Sequence, residues 1–168
     1  DTMINFPDFR SFERAFQQMT QVSGRAGRKH KRGTVIIQTY NPYHQAIRDV
    51  IDYNYKGMYE SQILDRKVFK YPPFYRLIKI SIRHKEKIVL DAIADEFRTD
   101  ITKIFGGRIL GPEYPLIPRV KNYYTKEFLL KVERKESIAK AKEEIKILVE
   151  KFTTKHKQTR ITLDVDPA

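Results

Sequence analysis

No cysteine occurs in the 168 residues of this chain, which excludes disulfides and thiolate metal sites. Histidine is sparse: His30, His44, His84 and His156 are scattered, with no two at ligand spacing, so no metal site is expected. No apolar run approaches ~18 residues and no signal-peptide pattern opens the chain, so a cytoplasmic protein with no membrane partner is expected. Two further elements are missing. There is no Gly-x-x-x-x-Gly-Lys-Ser/Thr loop to cradle phosphates, and no acidic pair follows an apolar strand. The chain by itself is therefore not expected to hydrolyse a nucleoside triphosphate. Negative charge is also in deficit: 33 Lys and Arg stand against 21 Asp and Glu, a net charge of +12. Residues 1–55 hold 8 basic and 5 acidic residues, net +3, and residues 56–168 hold 25 and 16, net +9. Most of the excess thus lies in the second part, and it favours phosphate backbones or acidic peptides as partners.

What is present is most informative at Gln21-Val-Ser-Gly-Arg-Ala-Gly-Arg28. Arg25 and Arg28 are three apart and embedded among Gly24, Ala26 and Gly27. Glycines let a backbone turn sharply and approach a ligand closely. Two guanidinium forks can then converge on one anion such as a triphosphate. An arginine aimed at a transferring phosphoryl group stabilises transition-state charge. Taken alone, such a pair is more often solvated surface charge than phosphate machinery.

Hydrophobic spacing divides the chain into elements. Residues 10–22 read as a helix carrying Phe12, Phe16 and Met19. Val35-Ile36-Ile37 within Thr34–Thr39 suits a strand buried on both faces of a parallel sheet. His44–Tyr53 reads as a helix with Ile47, Val50 and Ile51 inward, and 55–70 as a connecting helix with Met58, Ile63 and Leu64 apolar. Tyr71-Pro72-Pro73 breaks the pattern. Beyond it, Leu77–Arg83 alternates as a half-buried strand with Ile78, Ile80 and Ile82 on one face. Lys87–Phe105 is helical through Leu90, Ile93, Phe97, Ile101 and Ile104. A short strand at 108–110 is closed by Gly111-Pro112, and Phe128, Leu130 and Val132 alternate again. Ser137–Phe152 is helical, and Ile161, Leu163 and Val165 form a last strand. The order β-α-β-β-α-β predicts the split β-α-β, ferredoxin-like arrangement, with both helices on one face of an antiparallel sheet. The expected domains are 1–55, a connecting helix over 56–70, and a small α+β domain over 71–168.

The loop Glu113–Lys126 mixes Arg119, Lys121 and Lys126 with Tyr123 and Tyr124. Cations attract a phosphate backbone and tyrosines offer stacking surfaces to unpaired bases. An ordinary hairpin whose tyrosines pack on the core explains the composition equally well. If both tyrosines lie in one strand they face opposite ways, and at most one is a stacking platform. Asp164 and Asp166, at period two, lack an acidic neighbourhood and read as a solvent-facing strand end.

The stretch Gln21, Gly24, Arg25, Gly27, Arg28 resembles motif VI of the superfamily 2 helicases, Q-x-x-G-R-x-G-R. Together with 5–14, Gly33–Thr39, Pro42-Tyr-His44, Tyr71-Pro-Pro-Phe74 and Leu163–Pro167, it resembles the C-terminal part of the primosomal replication-restart DNA helicases, the PriA or primosomal protein N-prime family. The resemblance runs from the first residues to the last. It implies that 1–55 is the end of the second RecA-like helicase lobe, with a parallel sheet, and that a small α+β C-terminal domain follows. It implies ATP and Mg²⁺ as cofactors of a longer parent, and zinc in the parent with none in this piece. It gives Arg28 the role of main arginine finger, Arg25 a second γ-phosphate contact, and Gln21 a part in coupling nucleotide to DNA. Asp1 in place of methionine fits the expectation of a piece of a longer product.

The implied activity of the parent is ATP-dependent 3′-to-5′ unwinding of stalled or branched forks, followed by primosome assembly. The implied partners are forked or single-stranded DNA, other primosome proteins, and the acidic tail of single-stranded-DNA-binding protein. For that tail the residues of suitable sign are Arg134, Lys135 and Lys140, while Glu136 between them would repel it. Two other readings stand beside this one: a stand-alone basic nucleic-acid-binding module without ATPase activity, and a protein-interaction domain for acidic peptides.

Overall fold

The computed structural model describes residues 1–26 and 33–167. They form two compact units, Asp1–Phe69 and Lys70–Ala168.

The first unit is helical. Helix α1 spans Ser11–Ser23, α2 Gln45–Ile51 and α3 Tyr55–Val68. Local chemistry sets the helix starts. The His44 ring accepts the Ala46 N–H at 3.2 Å, and the Asn54 side chain accepts the Gly57 N–H at 3.0 Å, each satisfying a donor that the first turn leaves without a partner. Asp49 is buried and accepts from Gln45 at 2.9 Å and Asn54 at 3.1 Å. The small core joins Phe16, Val50 and Met58, with Phe12, Met19 and Ile37 against it. The stretch read as a connecting helix is α3, and it supplies Met58 to this core. Arg66 of α3 also reaches Glu13 of α1 at 2.5 Å.

Two expectations are not met among the described residues. Residues 33–39 form neither strand nor helix, and Ile36 is 87% exposed. A strand exists only through hydrogen bonds to a neighbour, and the described residues of Asp1–Phe69 contain no other strand for it to join. The parallel sheet expected over 1–55 is therefore not present among them. Ile51, expected inward, is exposed at the last position of α2.

The second unit is α+β. Strand β1 (Tyr75–His84) leads into α4 (Lys87–Phe105), a 3-10 turn over Gly106–Arg108, and β2 (Ile109–Glu113). A two-residue strand β3 (Arg119–Val120) then precedes β4 (Tyr123–Glu133), α5 (Ile138–Lys155) and β5 (Arg160–Val165). The sheet order is β2-β4-β1-β5, with β3 also on β4, and every paired neighbour is antiparallel. Apart from β3, this is the connectivity of the split β-α-β pattern.

Register determines the faces. Ile78, Ile80 and Ile82 of β1 lie opposite Leu130, Phe128 and Lys126 of β4 and opposite Val165, Leu163 and Ile161 of β5. Cross-strand partners share a face. On that face Leu90, Phe97 and Ile101 of α4 and Ile145 and Phe152 of α5 close the core. Phe97 is its centre, 5.3 Å from the Phe128 ring and edge-on to Phe152 at 5.1 Å. The stripe of α4 runs Ile93, Phe97, Ile101, Phe105, so Phe105 is buried and Ile104, expected inward, is turned toward solvent. β1 was expected to be half-buried, yet Leu77 and Ser81 on its second face are buried too. Being central, β1 has strands on both sides, and the Lys131 ammonium beside Leu77 lies 3.8 Å from the Tyr71 ring centre.

Two glycines are required by the backbone. Gly106 ends α4 at φ 56°, and Gly111 sits at φ 101° where the β2–β4 register shifts. The strand expected to stop before Gly111-Pro112 runs through them, because the shift absorbs the missing proline N–H.

Candidate functional site

Three groups of residues were singled out by the sequence, and the structure places each differently.

The first follows α1. After Ser23 the chain keeps turning, with Gly24 N–H donating to Thr20 at 2.9 Å, Arg25 N–H to Val22 at 3.1 Å and Ala26 N–H to Ser23 at 3.1 Å. Gln21 and Arg25 are exposed, and Arg25 makes no ion pair among the described residues. Gln21 lines a shallow depression with Met3, Arg14, Gln17 and Gln18. Gly24 has an ordinary right-handed conformation, φ −64°, and a Cβ there would stand 3.4 Å from the Thr20 carbonyl oxygen. Nothing among the described residues of the unit therefore demands glycine at 24. Gly27 and Arg28 lie outside the described residues, as does the basic run 28–32.

The second group is the hairpin. Lys121 (φ 47°) and Asn122 (φ 63°) make the two-residue turn joining β3 to β4. Two positive φ values in succession match the twist of the flanking strands, and Arg119 donates to the Asn122 side chain at 3.2 Å. Tyr123 and Tyr124 both lie in β4 and so take opposite faces. Tyr124 packs against the core on the helix side, with the Arg119 guanidinium 5.1 Å from its ring centre. Lys126, on the same side, is mostly buried and donates to Asp91 of α4 at 2.8 Å. The Tyr114 hydroxyl donates to the same Asp91 oxygen at 2.5 Å. Hydrogen bonds from Lys126 and then Tyr114 hold the Asp91 carboxyl below its usual range. Burial, and then the bond to Asp91, pushes the Tyr114 hydroxyl up to about 12. Tyr114, Asp91 and Lys126 thus clamp the loop onto α4. Beyond the clamp, Leu116 and Ile117 are exposed between Pro115 and Pro118.

Tyr123 faces the helix-free side. Arg160 lies 4.9 Å and Lys85 6.0 Å from its ring centre. Arg83 and Arg160 are direct cross-strand partners on that same face. Sequence reasoning missed Arg83, Lys85 and Arg160. The spacing of Arg83 near the end of β1 and Lys85 just past it was the available signal, but only the register brings Arg160 beside Arg83.

The third group surrounds the start of α5. Arg134 is exposed, its N–H donating to Phe74 at 3.3 Å, and it forms no ion pair among the described residues. Lys135 donates to Glu133 at 3.0 Å, which raises its ammonium above the ordinary lysine value. Lys140 is exposed in the first turn of α5, where its N–H is capped by Ser137 at 3.3 Å. Glu136 is exposed just before the cap residue Ser137.

Asp166 closes β5 against β1: its N–H donates to Leu77 at 2.8 Å and its carboxylate accepts the Leu77 N–H at 3.4 Å. Among the described residues no three His, Asp or Glu side chains converge as metal ligands would, and no helix is long and apolar enough to cross a membrane.

Comparison with known proteins gives a consistent family. The chain is 33% identical over 168 residues to the replication restart protein PriA of Bacillus subtilis, covering 99% of this chain and 20% of that protein. It is 40% identical over 136 residues to the replication restart protein PriA of Synechocystis, covering 78% of this chain and 16% of that one. Over 79 residues, 47% of the chain, it is 46% identical to the replication restart protein PriA of Chlamydia trachomatis, of which it covers 10%. The chain thus spans a fifth or less of the length of these relatives. The family described as the primosomal protein N C-terminal domain matches residues 67–168, more than half of the chain, and the chain therefore belongs to that family.

Proposed function

We propose that this chain is the C-terminal part of an ATP-dependent 3′-to-5′ DNA helicase that recognises stalled or branched replication forks and restarts replication through primosome assembly. The observation that carries the reading is the order of two features in one chain: Gln21-x-x-Gly24-Arg25-x-Gly27-Arg28 first, and the family domain over 67–168 after it.

In this reading residues 1–55 belong to the second RecA-like lobe, and Val35-Ile36-Ile37 joins its parallel sheet. The exposed Arg25 and its neighbour Arg28 face ATP and Mg²⁺ bound elsewhere in the parent, where zinc is also held. Arg28 stabilises the charge that develops on the transferring γ-phosphoryl group, a contribution of about 10³–10⁵ in rate for such fingers. Arg25 contacts the γ-phosphate, and Gln21 relays nucleotide state to DNA. Gly24, which the described residues of the unit do not require, permits close approach of the facing lobe. The second unit contributes DNA contact through the basic hairpin with Lys121 and Tyr123. Arg134 and Lys140 accept the acidic tail of single-stranded-DNA-binding protein, and Lys135 does so only after leaving Glu133.

The test is ATP hydrolysis by the intact parent on forked DNA, wild type beside Arg28→Ala. Loss of turnover of a hundredfold or more with unchanged fork affinity supports the finger. Turnover surviving within about tenfold refutes it. Nucleotide-independent, salt-sensitive DNA binding with no turnover in either protein would favour a stand-alone basic binding module.

A further inference from the structure

The helix-free face of the sheet is electrostatically one-sided. Toward one end Glu127 lies 3.9 Å from Lys79 and accepts from Ser81 at 3.3 Å, and Asp164 is the cross-strand partner of Lys79. Positive charge there is answered within the domain. At the other end Arg83 of β1 and Arg160 of β5 stand directly opposite each other. Their Cβ atoms are then about 4.5–5.5 Å apart, a spacing at which like charges oppose the pairing. Lys85, just past the end of β1, reaches toward the Tyr123 ring on the same side. None of these three cations makes an ion pair among the described residues; Glu86, next to Lys85, is exposed and unengaged through its carboxylate. The register thus concentrates charge that the fold does not neutralise.

Tyr123 orders the group. Its ring has the Arg160 guanidinium at 4.9 Å and the Lys85 ammonium at 6.0 Å, and cation–π attraction restricts where both side chains point. Guanidinium groups on adjacent strands present planar donor forks that suit phosphate oxygens. An anion bridging Arg83 and Arg160 would also turn their mutual repulsion into attraction.

We propose that Arg83, Lys85 and Arg160, ordered by Tyr123, form a phosphodiester-binding site for nucleic acid on the helix-free face of the second unit. It rests on the reading that this unit contacts DNA, and it moves the main contact from Tyr124 and Lys126, which the helix side employs, to the opposite face. Lys121 at the hairpin turn extends the site.

The experiment measures binding of the full 168-residue chain to labelled single-stranded, duplex and forked oligonucleotides across a salt series, with melting temperature in parallel. Arg83→Gln with Arg160→Gln is expected to lower affinity at least tenfold at low salt. The slope of log K against log salt should shrink by about 1.4 for a single strand or 1.8 for a duplex, two phosphates' worth, and the oligonucleotide losing more affinity identifies the strand form bound. Lys85→Gln should lower affinity a few-fold. Lys142→Gln with Lys146→Gln, the same charge change on α5, should alter affinity less than threefold. The arginine double variant should melt no lower than wild type, because a repulsive pair has been removed.

Equal weakening by both double variants, an unchanged slope, or a lowered melting temperature would overturn the site. So would loss of binding to an acidic peptide with DNA binding retained, which would assign the cluster to a protein partner. Binding of wild type with no effect of the arginine change refutes this site alone. Absence of oligonucleotide binding by wild type refutes the underlying reading as well.

Discussion

Replacing Gly111 by alanine tests how firmly the β2 edge and the loop after it are held. Gly111 has φ 101°, and a Cβ there would stand 2.5 Å from the Glu127 carbonyl oxygen and 3.2 Å from the Phe128 Cα of β4. Two costs combine. A side chain in this sparsely populated backbone region costs roughly 1–3 kcal/mol. The clash is with main chain, so β2 must withdraw from β4, a distortion of about 1–3 kcal/mol by analogy with overpacking. Restricting the unfolded chain returns about 0.4–1 kcal/mol. The net loss lies between about 1 and about 5.5 kcal/mol and centres on about 3 kcal/mol. For a unit of about 100 residues the central value is a fall of roughly 10–25 °C in melting temperature. Two neighbours separate the causes within one series. Gly106 has φ 56° with nothing within 4 Å of its Cβ position, so Gly106→Ala should show conformational strain alone, about 1–2 kcal/mol. Gly107 has no such φ and equally open space, so Gly107→Ala should stay within about 0.5 kcal/mol of wild type. Urea unfolding of the three variants supplies the comparison. If Gly111→Ala costs less than Gly106→Ala, the close approach of β2 to β4 does not constrain residue 111 and the reasoning fails.

Phe97→Ala removes the ring between Phe128 and Phe152 and should cost about 3–5 kcal/mol in the same assay; a loss below 1 kcal/mol would show that the core closes without it. Because the Tyr114 hydroxyl is raised to about 12 in the folded state, its contribution is complete below the ordinary tyrosine value near 10 and is lost as pH rises toward 12. Melting temperatures between pH 9 and 12 should therefore fall more steeply for wild type than for Tyr114→Phe, and identical slopes would dismiss the clamp's titration. Gly24→Ala should leave thermal stability within about 0.5 kcal/mol, since helix propensity favours alanine and the nearest atom is in ordinary contact at 3.4 Å; marked destabilisation would show an internal need for this glycine.

The bounds and most of the buried stripe of helix α4 were legible in the sequence, because Leu90, Ile93, Phe97 and Ile101 carry the period and Gly106 ends it; only at the last turn does Phe105 take the inward place expected for Ile104. The alternation of β1 and β4 was legible for the same reason. Period two also established that Tyr123 and Tyr124 part company, but not which of them meets the core, since that depends on pairing with a strand far away in sequence. The Arg83–Arg160 juxtaposition was hidden for that reason: neither residue is unusual until β5 is laid beside β1. The Tyr114–Asp91–Lys126 clamp was hidden too, being assembled from a loop, a helix and a strand. At Val35-Ile36-Ile37 composition pointed to a strand, yet β-branched residues supply only a surface suited to pairing, and the pairing needs a second strand.

That run has a practical consequence for anyone handling this chain. Four consecutive β-branched residues, Thr34 to Ile37, without strand pairing among the described residues and with Ile36 almost wholly bare, are a ready template for the same run in another molecule. Yield and shelf life at high protein concentration should be governed by these few residues rather than by the well-packed sheet domain, and a charged residue at position 36 is the simplest remedy to try.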